Sequence, residues 1–181
     1  MKYRDITNKE LIFEADNACR QVSLPVDAKS LEPVLSKESV DSHYGTLHRN
    51  YVAKVNDGAT DKFLIGGANL HNLYFEQFAE PSTKKPTDRI QFLIEDCFGN
   101  YDDFKILFTD TALTIQGSGW CYLSKKGEIK TIQNHATRQD ICILLDMWEH
   151  AYYLDYGPNK KKYIDNSWKI INWDIINGRL S

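Results

Sequence analysis

Ser36-Lys-Glu-Ser-Val-Asp-Ser-His43-Tyr-Gly-Thr-Leu-His-Arg-Asn-Tyr51-Val-Ala-Lys-Val-Asn56 is the stretch on which the fold turns. Its larger side chains Val40, Tyr44, Leu47, Tyr51 and Val55 recur at steps of three and four, the spacing of one helical face. Asn56-Asp57-Gly58 is a turn signal. Beyond it Phe63, Leu70, Tyr74 and Phe78 form a second stripe that ends before Pro81. Two helices joined by a short turn make an antiparallel hairpin.

Upstream, Leu24-Pro25 and Glu32-Pro33 mark an irregular entry, because a residue preceding proline is pushed out of helical geometry. Downstream of the polar Pro81–Pro86 linker, Thr87-Asp88 is positioned to cap a helix running to Cys97. Asn100 is positioned to cap another through Phe104, Leu107 and Phe108. The period then changes. Trp120–Leu123, Gly127–Ile132 and Ile141–Leu145 are short, bounded by Gly, Lys or Asn, and predict three strands. From Tyr163 to Ile176 helical spacing returns, with Trp168, Ile171 and Ile175 in step. The order predicts an α+β fold: an N-terminal extension and α-hairpin over 1–80, then an α/β unit over 87–181.

The chain has 181 residues, with 22 Lys+Arg against 25 Asp+Glu, and a net charge of −3 lacks the basic excess of an electrostatic nucleic-acid binder. No run of 18 apolar residues suggests a membrane span. The first 25 residues carry Asp5, Glu10, Glu14 and Asp16 without an apolar core, unlike a secretory or organelle leader. Cys19, Cys97, Cys121 and Cys142 are widely spaced, as reduced thiols in a cytoplasmic protein would be.

Five histidines are present: His43, His48, His71, His135 and His150. His43 lies 14 residues before Asp57 and His71 lies 14 after it. At about 1.5 Å rise per residue both stand roughly 21 Å from the turn, level across the hairpin. A single helical histidine is ordinarily a packing residue; two level ones permit a metal site. Asp146-Met-Trp-Glu-His150, at the end of the buried Ile141–Leu145 run, offers a carboxylate and a third imidazole. Three nitrogens and one oxygen suit iron, manganese or zinc without choosing among them.

The octapeptide Asp146-Met-Trp-Glu-His-Ala-Tyr-Tyr153 closely resembles the D-x-W-E-H-A-Y-Y signature of the iron/manganese superoxide dismutases. Leu24-Pro-Val-Asp with Leu31-Glu-Pro33 resembles the family's opening. His43-Tyr-Gly-x-x-His48-x-x-Tyr51-Val, Gln116-Gly-Ser-Gly-Trp120 and Trp168-x-x-x-Asn172-Trp173 resemble its later elements, in the same order. The resemblance implies an N-terminal α-hairpin followed by an α/β domain with a three-stranded antiparallel sheet. It implies His43, His71, Asp146 and His150 as ligands of one iron ion per subunit, with manganese, or either metal, as the alternative. Superoxide anion is then the substrate.

By the same resemblance Tyr51 is the gateway tyrosine, and Trp120, Tyr122 and Trp148 wall the site. Most family members place a glutamine against the metal-bound solvent. The hairpin position for it holds Gly67 here, and the loop position holds His135, which is therefore expected to contact that solvent and Tyr51. Glu149 and Tyr153 fall at the family's homodimer interface. Leu47 replaces a histidine that pairs there with the tyrosine matching Tyr153, so that hydrogen bond is lost. Lys160 stands where a channel arginine usually steers the anion, keeping the charge but not the guanidinium fork. Two alternatives differ in kind: a non-catalytic scaffold of the same fold, which would be expected to have lost ligands, and a zinc hydrolase, for which no general base can be named.

Overall fold

In the computed structural model, which describes residues 18–181, the chain from Lys37 to Asn56 is a helical rod of changing pitch. It opens as α1 (Lys37–Val40), where the Ser36 hydroxyl accepts the Ser39 N–H. It widens to a π-helix over Asp41–His48 and resumes α pitch in α2 (Arg49–Asn56). A π turn is wider than an α turn, so residues five apart share a face, and such segments concentrate at functional sites. His43 and His48 therefore both face the second helix, while Leu47, in step with His43 at α spacing, is only half-buried.

The turn at Asp57-Gly58 leads to α3 (Lys62–Glu76), whose N-cap Asp61 accepts from the N–H groups of Phe63 and Leu64. Two amide side chains strap the incoming strand to the hairpin. Asn56 bonds both backbone groups of Cys19, and Asn72 bonds Val22 N–H and Arg20 C=O.

The next two helices form as the sequence predicts. In α4 (Asp88–Phe98) Thr87 holds the N-cap position but its side chain makes no capping bond, and Asn177 Oδ1 accepts the Ile90 N–H instead. In α5 (Tyr101–Leu113) Asn100 accepts from the N–H groups of Asp102 and Asp103 as expected. Strands β1 (Gly119–Ser124), β2 (Ile129–Gln133) and β3 (Ile141–Asp146) make an antiparallel sheet of order β2-β1-β3. Every residue of β1 and β3 is buried, which places the central strand and its β3 neighbour between helical layers. In the β1–β3 register Trp120 lies opposite Asp146.

The C-terminal region departs from the single helical period of Tyr163–Ile176. It comprises α6 (Glu149–Tyr156), α7 (Lys160–Ser167), a 3₁₀ turn at Trp168–Ile170 and α8 (Trp173–Arg179). Ile171 is extended because it pairs with Phe78 in an antiparallel bridge, and Asn172 then caps α8. Competing tertiary pairing overrides the local helical pattern.

One aromatic-rich core runs through both halves, and polar side chains fasten them. Gln77, just past α3, bonds Leu144 on both its C=O (2.5 Å) and N–H (3.2 Å), acting as an extra strand residue beside β3. Arg179 donates to Gln77, to the Cys142 and Leu73 carbonyls and to Glu76. Among the described residues no helix is long and apolar enough to cross a membrane.

Candidate metal centre

Three helical segments and the end of one strand converge at the junction of the halves. The π segment supplies His43, α3 supplies His71, β3 ends at Asp146, and the first turn of α6 supplies His150. The four candidate ligand atoms lie within 4.8 Å of one another. His43, His71 and Asp146 are buried, whereas the His150 side chain retains 27% exposure, which leaves the centre open on one side.

Each group is held in place by a specific bond. The Trp148 N–H donates to Asp146 Oδ1 at 2.8 Å, turning the chain from β3 towards α6 and leaving Oδ2 for the imidazoles. Tyr163 donates to the Asp146 carbonyl at 2.9 Å, so the hydrogen shared between the Tyr74 and Tyr163 hydroxyls, also 2.9 Å apart, comes from Tyr74. His71 Nδ1 donates to the Gly67 carbonyl at 2.6 Å, which leaves Nε2 unprotonated and turned inward.

Asp146 Oδ2 lies 3.2 Å from His43 Nε2, 3.7 Å from His71 Nε2 and 3.1 Å from His150 Nε2. Two ligands each about 2.0–2.1 Å from a shared ion stand about 3.0 Å apart at a right angle and about 3.6 Å apart at 120°. The observed separations match that spacing. The Nε2 atoms of His43 and His71 are also buried without a hydrogen-bond partner. Such orphaned atoms ordinarily cost about 1–3 kcal/mol each, a penalty that a cation on the lone pairs removes. The donor set therefore fits a transition-metal ion.

The protonation states agree. Burial holds His43 below the usual imidazole range, against the opposing pull of the Asp146 carboxylate. Burial and then His43 hold His71 well below it. Both are neutral at pH 7, the ligating form. Burial alone would raise the Asp146 carboxyl, but His150 and His43 outweigh it and keep the group ionised.

Around this quartet the other expected residues divide. Tyr51 stacks on His71 with centroids 5.4 Å apart, and its hydroxyl lies 3.1 Å from His135 Nε2. Trp120 meets His71 edge-on at 5.0 Å and donates its indole N–H to His135 Nδ1 at 3.2 Å. Trp148 stacks on His135 at 4.5 Å and on His150 at 5.5 Å. Tyr122 lies two residues further along β1, and its hydroxyl donates to Asp140 instead. Glu149 is exposed and Tyr153 is 55% exposed, on the same helix as His150. Lys160 holds its ammonium 5.9 Å over the Tyr152 ring.

The sequence patterns assigned no role at the site to four residues that help build it. His48 stacks on His71, in register only because of the π winding. Phe63, expected in the hairpin stripe, is 40% exposed and instead packs at the mouth against His135 (4.6 Å), Tyr51 and Trp148. Gly66 admits the loop that carries His135, since a Cβ there would stand 1.8 Å from the His135 carbonyl oxygen. Asn134, at φ 52°, makes the left-handed turn preceding that histidine, a conformation asparagine tolerates better than most residues.

Residues 86–179 match the family model described as iron/manganese superoxide dismutases, C-terminal domain. The chain belongs to the iron/manganese superoxide dismutase family. A superoxide dismutase [Fe] of Saccharolobus solfataricus is 33% identical over 87% of this chain and 90% of that protein. A superoxide dismutase [Mn/Fe] of Propionibacterium freudenreichii is 33% identical over 87% and 94%. A superoxide dismutase [Mn] of Mycolicibacterium smegmatis is 29% identical over 87% and 90%. The α+β architecture, with a helical hairpin ahead of a three-stranded antiparallel sheet, fits the superoxide dismutase family, and the quartet lies where its two parts meet.

Proposed function

We propose that this chain converts superoxide to dioxygen and hydrogen peroxide at a single iron or manganese ion held by His43, His71, Asp146 and His150. The observation that carries the proposal is the approach of three imidazole Nε2 atoms to one carboxylate oxygen, at 3.1–3.7 Å. When bound, the ion supplies reversible one-electron exchange between its +3 and +2 states. Two superoxide anions and two protons give one dioxygen and one peroxide, so the protein has to orient the ion, admit a small anion and deliver protons.

Tyr51 is suited to the proton role. Burial and the Asp146 charge raise its phenol above the ordinary value, keeping the hydroxyl protonated at neutral pH. His135 supports it, since burial pushes that imidazole down to about 4 and makes it neutral. Trp120, Trp148 and Phe63 wall the pocket and restrict water. Lys160 supplies positive charge for steering. Glu149 and Tyr153 lie on the face through which two copies pair as a homodimer, with an isologous interface that Leu47 leaves without one hydrogen bond. The proposal also takes iron before manganese, two structural units over 1–80 and 87–181, a cytoplasmic setting and no nucleic-acid partner. Residues 1–17 lie outside the described part of the first unit.

The test is metal analysis of protein purified without added metal, paired with superoxide consumption by pulse radiolysis. One iron or manganese per chain with turnover is expected, and His43→Ala should lose both. Zinc without turnover would point to hydrolysis, and a metal-free protein to a scaffold.

A further inference from the structure

Trp120, His135 and Tyr51 form a hydrogen-bonded line whose direction follows from chemistry. An indole N–H only donates, so His135 Nδ1, 3.2 Å from it, has to be the unprotonated nitrogen. A neutral imidazole carries one hydrogen, which then resides on Nε2 and is donated to Tyr51 Oη at 3.1 Å. Flipping the ring would replace both nitrogens by carbons and break both bonds. The ring is gripped against that flip by Trp148, stacked at 4.5 Å and 15°, and by Phe63. Its backbone is seated on Gly66, where no side chain fits.

We propose that Trp120 is a positioning residue: it holds His135 in the Nε2–H tautomer, committing the one imidazole hydrogen to Tyr51 and freeing the Tyr51 hydroxyl hydrogen for an acceptor in the metal pocket. A glutamine has two amide hydrogens and serves two acceptors. His135 has one, already directed at Tyr51. What the freed hydrogen is used for rests on the proposed superoxide chemistry, whereas the tautomer does not.

The test is nitrogen NMR of the ¹⁵N-labelled full-length protein carrying zinc(II) as a diamagnetic ion. His135 should show a protonated Nε2 and a bare Nδ1, with the Trp120 indole hydrogen in a hydrogen-bonded position. Trp120→Phe should shift the tautomer ratio about tenfold towards Nδ1–H, the weight of one neutral hydrogen bond. Protonated Nδ1 in the native protein, or an unchanged ratio in Trp120→Phe, would overturn the proposal. Should Trp120→Phe not fold, the indole hydrogen provides a second measurement. It should move upfield in His135→Leu and stay in place in His135→Gln, whose carbonyl restores the acceptor; equal positions in both would refute the assignment. A protein with Nε2–H but no superoxide turnover would support this inference while removing the function proposed above.

Discussion

The imidazole of His48 lies against that of His71, with ring centroids 5.6 Å apart and planes 22° from parallel. Phe75, also on α3, stacks on it at 5.6 Å and 17°. His48 is thus a wedge between the π segment and the helix that carries His71. The Gln21 amide approaches its Nδ1 at 3.4 Å from the N-terminal strap.

His48→Ala should therefore act twice. Emptying this fully buried site should lower the stability of the metal-free protein by about 2–5 kcal/mol, read by denaturant unfolding. Releasing the His71 ring should also weaken metal binding roughly 10–100-fold in chelator competition. Weaker folding with unchanged metal affinity would leave His48 as packing alone.

Acid should destabilise the metal-free protein well before its carboxylates titrate. Burial pushes His48 down to about 3 and His135 to about 4, while both return to about 6.5 on unfolding. The unfolded chain therefore binds protons that the folded chain refuses. This stability is complete above pH 6.5 and drains as pH falls towards the folded values, at about 1.4 kcal/mol per pH unit per group. Asp146, held below its ordinary range, adds to the loss only below about pH 3.8. Denaturant midpoints should fall steadily from pH 7 to pH 4, and a flat profile would contradict the burial of these rings.

Gly66→Ala sets two effects against each other. Alanine in a helix interior ordinarily gains about 1 kcal/mol over glycine. Here its methyl would meet the His135 carbonyl at 1.8 Å, a backbone atom that has to move. Overpacking of that kind costs about 1–3 kcal/mol. The expected outcome is lower stability, displacement of the Trp120 indole NMR signal and slower superoxide turnover with metal retained. A stabilised variant with an unmoved indole signal would show that the loop yields freely.

Arg179→Met tests the fastening of the two halves. The guanidinium bonds two carbonyls, Gln77 and Glu76 from a site where it is 9% exposed. Removing it strands Glu76 and several acceptors, and unfolding free energy should drop by roughly 3–5 kcal/mol. A loss under 1 kcal/mol would mean that water replaces these bonds.

Much of this was legible in the chain, for identifiable reasons. The capping role of Asn100 is local, governed by a side chain two or three residues from the N–H groups it satisfies. The three strands showed because their apolar runs are short and bounded. The level placement of His43 and His71 followed from counting residues either side of a turn. The break at Ile171 had no local mark, since its cause is Phe78, far away in the sequence. The placing of Phe63 on the hairpin stripe had the same weakness: a periodic stripe says which residues align, not what lies opposite.

The amino-acid sequence by itself determined the donor chemistry, three imidazoles and one carboxylate at spacings that a hairpin and a strand end bring together. It also determined the order of helices and strands, because caps, turns and apolar periods act over a few residues. Only the tertiary structure decided that the first helix widens to π pitch and turns His48 inward in place of Leu47. Only there does an indole choose which nitrogen of His135 carries the hydrogen. Both depend on atoms distant in the chain meeting within a few ångströms, and a contact of that kind exists only once the backbone has closed around it.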